Sequence, residues 1–279
     1  MKQYGKDFSV LTRAKGVWKD LLNPKKYPPG FKVFTCSWSD FFHEGADQWR
    51  DEAWDTMRRR PDLTWQILTK RVDRIEDHLP HDWPWPNAWL GFTAENQARF
   101  DERSIYAERI PAALWFVSSE PLLGRIDMTE RLGIRWNREA RQFERLKDSC
   151  IGWVIAGGET GPKARPTNPF WVQSLKLQAV VAGVPFHFKS WGEWVTEYQA
   201  PEDIILPGTS RLPWAEKDKD GEYTRGDQTA VYKVGREKSG RLLDGVLWDQ
   251  MPATPQGGDA ECSPPGSTAP APAAGPGSS

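Results

Sequence analysis

Residues 151–188 read IGWVIAGGETGPKARPTNPFWVQSLKLQAVVAGVPFHF, and this stretch decides the fold class. Ile151–Ala156 is a short, nearly continuous apolar run, as expected of a strand buried on both faces. It ends in Gly157, Gly158, Glu159 and Thr160. Asn168 and Pro169 then look like an N-cap and first helical position, and Gly183 like the helix stop. A second apolar run, Pro185–Phe188, follows. Strand, helix, strand in this order predicts a βα unit of a parallel sheet.

The same pattern recurs upstream. Apolar runs at Phe31–Trp38, Thr64–Leu68, Ala88–Phe92 and Ala113–Val117 bring the count of predicted strands to six. Asp47–Arg60 reads as a helix, with Trp49, Ala53, Trp54 and Met57 on one face and Pro61 as the stop. Val72, Ile75 and Leu79 suggest another helix after the second strand. Alternating βα units suit an open doubly wound sheet or a barrel. The expectation adopted is α/β: a partial (β/α) TIM-like barrel over residues 1–200, with about six parallel strands. Residues 125–149 read as a charged, partly helical insertion, and 201–252 as an appended subdomain. Residues 253–279, rich in Pro, Ala, Gly and Ser, read as a disordered tail.

Composition narrows the function classes. Lys plus Arg (37) balance Asp plus Glu (38) among 279 residues, which argues against a globally basic nucleic-acid binder but not against a local basic groove. No apolar run is long enough for a membrane span, and Met1–Val10 shows no secretory signal, so a cytoplasmic location is expected. The three cysteines, Cys36, Cys150 and Cys262, are far apart and form no CxxC, which fits a reducing compartment better than a disulfide scaffold. GxxxxGK, GxGxxG, HExxH and GxSxG are all absent.

In parallel α/β folds the ligand site lies beyond the carboxyl ends of the strands. Those ends carry Asp40; Lys70 and Arg71; Thr93 and Glu95; Glu120; Gly157, Gly158 and Glu159; and Lys189 with Trp191. Lys70, Glu120 and Glu159 are the candidate catalytic groups. Asp40, Arg71, Glu95, Gly157, Gly158, Lys189 and Trp191 are the candidate binding groups, and no metal ligand is assigned. The Gly-Gly-Glu turn suits an amino acid-like or anionic group, and Trp191 suits stacking on a ligand ring. Structural roles compete with these. Asp40 and Thr93 serve equally as helix N-caps, Gly157-Gly158 as a tight turn, and the carboxylates as partners of Lys70, Arg71 and Lys189 in an ion-pair network. His187 reads as a core histidine, and His78 and His81 as surface residues.

The segments FTCSWSDFFHE (34–44), QILTKRVDRI (66–75), WLGFTAENQ (89–97), FVSSEPLLG (116–124), WVIAGGETGPKARP (153–166), PFHFKSWGEW (185–194) and GRLLDGVLWDQMP (240–252) resemble, in order, one phage-associated family of unknown function. It is the family named after phage proteins gp thirty-seven and gp sixty-eight, whose members look like relatives of radical S-adenosylmethionine enzymes. The resemblance implies a partial barrel, a four-iron four-sulfur cluster on three cysteines, and S-adenosylmethionine as cofactor. It also implies that Lys70, Glu95, Glu120 and Glu159 line the cofactor or substrate site. The family's three-cysteine motif lies upstream of the part matching Phe31 and has no counterpart in this sequence, so cluster chemistry is not expected of the chain as it stands. The substrate is left open, and a partner protein encoded nearby is compatible with the resemblance. The alternative reading is a nucleotide or single-stranded nucleic-acid binding module using Lys70, Arg71, Lys189 and Trp191. A metal-independent hydrolase using Glu120 and Glu159 is a third.

Overall fold

The computed structural model describes residues 2–3, 6–7, 16–36, 39–146, 149–202 and 230–253. Six strands build the main sheet: β1 (Lys32–Thr35), β2 (Thr64–Thr69), β3 (Ala88–Thr93), β4 (Leu114–Ser119), β5 (Trp153–Ala156) and β6 (Phe186–Phe188). All five pairings are parallel, and the strands lie side by side in chain order. A doubly wound sheet would reverse that order at a switch point. Here the order never reverses, and the sheet curls one way into a half-barrel, as the strand pattern predicts.

Three helices cover one face: α1 (Asp47–Arg58), α2 (Gln97–Arg109) and α3 (Pro169–Ala182). Their starts and stops follow local chemistry. Asn96 Oδ1 accepts the Arg99 N–H at 3.1 Å at the head of α2, and Asn168 Oδ1 accepts the Phe170 N–H at 2.9 Å at the head of α3. Gly183 ends α3 with φ of 70°, a left-handed conformation that costs glycine little.

Strand alternation divides the apolar residues into two cores. Trp65, Ile67, Leu90, Phe92, Val117 and Val154 pack with Trp54, Phe100 and Leu175 from the helices. The opposite, concave face holds Trp89, Phe116, Trp153 and Ile155. The aromatic rings interlock there, with Trp153 6.2 Å from Trp89 and 5.8 Å from Phe116 between centroids. Gly91 makes that packing feasible, because a Cβ there would come within 2.3 Å of the Phe116 ring.

Two local expectations are corrected. Residues 72–79 form two short 3-10 turns, Val72–Arg74 and Glu76–His78, rather than a helix. Leu79 is extended because it precedes Pro80, which disfavours the helical region for its neighbour. Residues 125–149 contain no helix among those described; their regular part is an antiparallel hairpin of Ile134–Asn137 with Gln142–Arg145. Asn137 Oδ1 accepts the N–H groups of Glu139 and Ala140, both at 3.0 Å, and so builds the turn.

The chain returns to the barrel at its far end. Val231–Lys233 pairs with Trp194–Thr196, and Leu242–Leu243 with Val246–Leu247 around Asp244-Gly245. Trp248–Gln250 then runs along the free side of β6. The Phe188 N–H donates to Trp248 O at 2.9 Å and the Gln250 N–H to Phe186 O at 3.2 Å. Residues 203–229 of the appended segment, and the tail from 254 onward with Cys262, lie outside the described residues. Among those described, no helix is long and apolar enough to cross a membrane.

Candidate ligand site at the barrel mouth

The concave face continues past the strand ends. Thr93, Ser118, Ile155 and His187 are successive register partners across β3, β4, β5 and β6. Two residues further along each strand direction come Glu95, Glu120, Gly157 and Lys189. Period-two alternation keeps these on the concave side. Lys70, two residues past Leu68 of the concave core, shares that phase. Most of the predicted rim therefore belongs to one barrel mouth.

On the β1–β3 side the groups are heavily braced. Asp40 Oδ1 accepts the Phe42 N–H at 2.9 Å and the Thr69 hydroxyl at 2.7 Å, while Oδ2 accepts the Lys70 N–H at 2.8 Å. Arg71 Nη1 lies 3.3 Å from the same carboxylate. Asp40 thus ties the β1 and β2 loops together. Thr93 is in the strand, and Asn96 takes the capping role. Glu95 is held by the Lys70 ammonium and by Arg103 Nη1 at 3.1 Å. Burial opposes ionisation of Glu95, but Lys70, its own backbone N–H and Arg103 outweigh it and hold the carboxyl below its ordinary value.

On the β4–β6 side the contacts are fewer. Glu120 Oε2 accepts the Ser118 hydroxyl at 3.1 Å, and Oε1 lies 3.1 Å from Lys189 Nζ. Gly157 leaves room for this carboxylate, since a Cβ there would stand 2.7 Å from Glu120 Oε1. The carboxylates are mostly covered, Asp40 13%, Glu95 14% and Glu120 20% exposed, whereas Lys70 and Lys189 are 51% and 58% exposed. A ligand arriving at the mouth meets ammonium groups first.

Three expectations change. Trp191 is only 1% exposed, packs against Phe188 at 4.7 Å and donates from Nε1 to Leu242 O. It belongs to the core and presents no ring for stacking. The Gly157 and Gly158 N–H groups donate to Ser119 O and Ser190 O, so the Gly-Gly turn is not an anion cradle. Its glycines serve close packing: a Cβ on Gly158 would fall 1.9 Å from Trp191 O. Glu159 is clamped by Arg165 at 2.7 and 2.8 Å and by the Arg165 N–H at 2.7 Å. That clamp lowers its pKa and fastens its own loop.

His187 is the mouth residue that strand counting alone would have left in the core. It lies in register with Ile155 on the concave face and is matched with Asp249, which the sequence separates widely. The phase shared with Ser118 was the available signal; the partner left none. A separate groove of about 510 Å³ lies against α2, but its Asp101 and Asp127 are engaged by Gln97 and Thr129.

Among the described residues the thiols are not grouped for an iron–sulfur cluster. Cys36 follows β1 at the mouth, whereas Cys150 precedes β5 at the opposite end of a parallel sheet. Among the described residues no three of His, Cys, Asp and Glu are grouped to hold a metal ion.

No curated protein and no solved structure matches the chain. A family model described as a protein of unknown function (DUF5131) matches residues 1–252. With nearly the whole described barrel inside that match, the chain belongs to this family of unknown function.

Proposed function

We propose that the barrel mouth binds a small zwitterionic ligand of the S-adenosylmethionine type, and that the chain is a phage-associated, radical-S-adenosylmethionine-like member of its family. One observation carries the binding reading. Across neighbouring strands the mouth presents Lys70, Glu95, Glu120 and Lys189, with cations outermost and carboxylates between and below them. S-Adenosylmethionine carries a carboxylate, an ammonium and a sulfonium. The lysines suit the first, and Glu95 and Glu120 suit the other two. The described residues offer no thiolate set for a cluster, and the mouth acts as a binding site without a radical step.

Nucleotide or single-stranded nucleic-acid binding is the competing reading, favoured by the exposed Lys70 and Lys189 with the half-buried Arg71 beside them. The burial of Trp191 removes its stacking group. Calorimetric titration with S-adenosylmethionine, ATP and a thymidine oligonucleotide at two salt concentrations separates the two. Binding of S-adenosylmethionine that weakens about tenfold in Lys189→Ala, at roughly 1.4 kcal/mol, is the expected result. Oligonucleotide binding that falls steeply with salt, without S-adenosylmethionine binding, replaces this reading with the other.

A further inference from the structure

His187 points into the mouth from the layer just beneath Lys189, and binding by the four charged groups leaves it unused. Its Nδ1 lies 2.9 Å from Asp249 Oδ1, and the two residues also form an antiparallel bridge. The approach is off the line of a straight hydrogen bond, since Nδ1 has no partner by angle. Such misalignment is common in ligand-free proton-transfer pairs, which tighten on binding. The Trp153 ring stands edge-on 6.1 Å away and shields one side.

We propose that His187 is a ligand-contacting hydrogen-bond acceptor in the barrel mouth and that Asp249 is its positioning residue. This rests on the mouth being the ligand site. With Asp249 taking the proton side of Nδ1, the lone pair sits on Nε2. The ligand class is one with a hydroxyl within reach, such as the ribose of a nucleoside. Nε2 accepts a hydrogen bond from the ligand hydroxyl, whose O–H bond stays intact; once protonated, Nε2 has no lone pair to offer and the contact is lost. The charged groups acting on the ring are Asp249 and Arg241 from the closing segment and Glu120 from the end of β4, with Lys189, just past β6, paired to Glu120. Burial, with Arg241, outweighs the two carboxylates and holds His187 below its ordinary pKa, so the ring is neutral and able to accept near pH 7.

Two measurements test this. Nitrogen NMR of the imidazole, assigned by comparison with His187→Gln, should show the Nδ1–H tautomer in the unliganded protein and a mixed tautomer in Asp249→Asn. An Nε2–H tautomer, or no response to Asp249→Asn, overturns the pairing. S-Adenosylmethionine affinity is then measured from pH 5 to 7, below the titration of the ligand's own amino group. Wild type should lose about tenfold per pH unit below the His187 pKa, His187→Gln should be flat, and Asp249→Asn should move the inflection to lower pH. Binding that is equally flat in wild type overturns the ligand role. If wild type binds no probe at any pH, the mouth reading falls and takes that role with it, while the tautomer result still decides the pairing.

Discussion

The β1–β3 flank of the mouth and the β4–β6 flank use carboxylates to different ends. Asp40 accepts from two backbone N–H groups and a hydroxyl and also meets Arg71, so its oxygens are consumed by the scaffold. Glu120 has one hydroxyl and one half-exposed lysine. A carboxylate with several fixed donors cannot turn toward a ligand without unpairing them. One with a mobile partner can exchange it. Asp40 is therefore framework, and Glu120 is a carboxylate free to respond to a ligand.

The contrast depends on the glycine pair after β5, within the β4–β6 flank, and Gly158→Ala should break it most severely. A Cβ 1.9 Å from Trp191 O forces backbone apart. A loss of about 3 kcal/mol or more is expected in urea denaturation. Next comes the comparison itself. Asp40→Ala leaves several donors without their acceptor and should cost about 2–3 kcal/mol, whereas Glu120→Gln should cost under about 1 kcal/mol. Equal costs would erase the distinction between framework and responsive carboxylate.

Gly157→Ala sharpens the contrast from the other side. The added Cβ meets Glu120 Oε1 rather than backbone, so stability should fall by about 1 kcal/mol while S-adenosylmethionine affinity falls about tenfold. The smallest effect concerns acid. Glu95 titrates below its ordinary value in the folded protein. It therefore contributes stability that is fully present above the unfolded carboxyl pKa, about 4.3, and is lost as pH falls through the folded value. Glu95→Gln should flatten that part of the stability profile, measured by denaturation between pH 3 and 6.

The strands were readable because both of their faces are buried, which compresses apolar residues into short runs such as Trp89–Phe92 and Val154–Ala156. Helix ends were readable where a side chain does the capping, as at Asn168. The segment after β2 was not, because three apolar residues at helical spacing cannot reveal that Pro80 holds Leu79 extended. At the site, period two placed Lys70, Glu95, Glu120 and Lys189 together, since strand alternation outlasts the strand by a residue or two. Trp191 misled for the opposite reason. Just beyond a strand end, the closing segment with Leu242 decides whether a ring faces out or in. Likewise Arg165 closes on Glu159 and Asp249 on His187 through tertiary geometry that no local pattern encodes.

The backbone of Trp248–Gln250 lying along β6 has a consequence for biosynthesis. Until the ribosome has delivered those residues, the outer edge of the sixth strand has unpaired N–H and C=O groups, a template for joining another nascent chain edge to edge. Chains released early, before Trp248, would carry that bare edge permanently and would be the ones prone to aggregate or to be cleared by proteases.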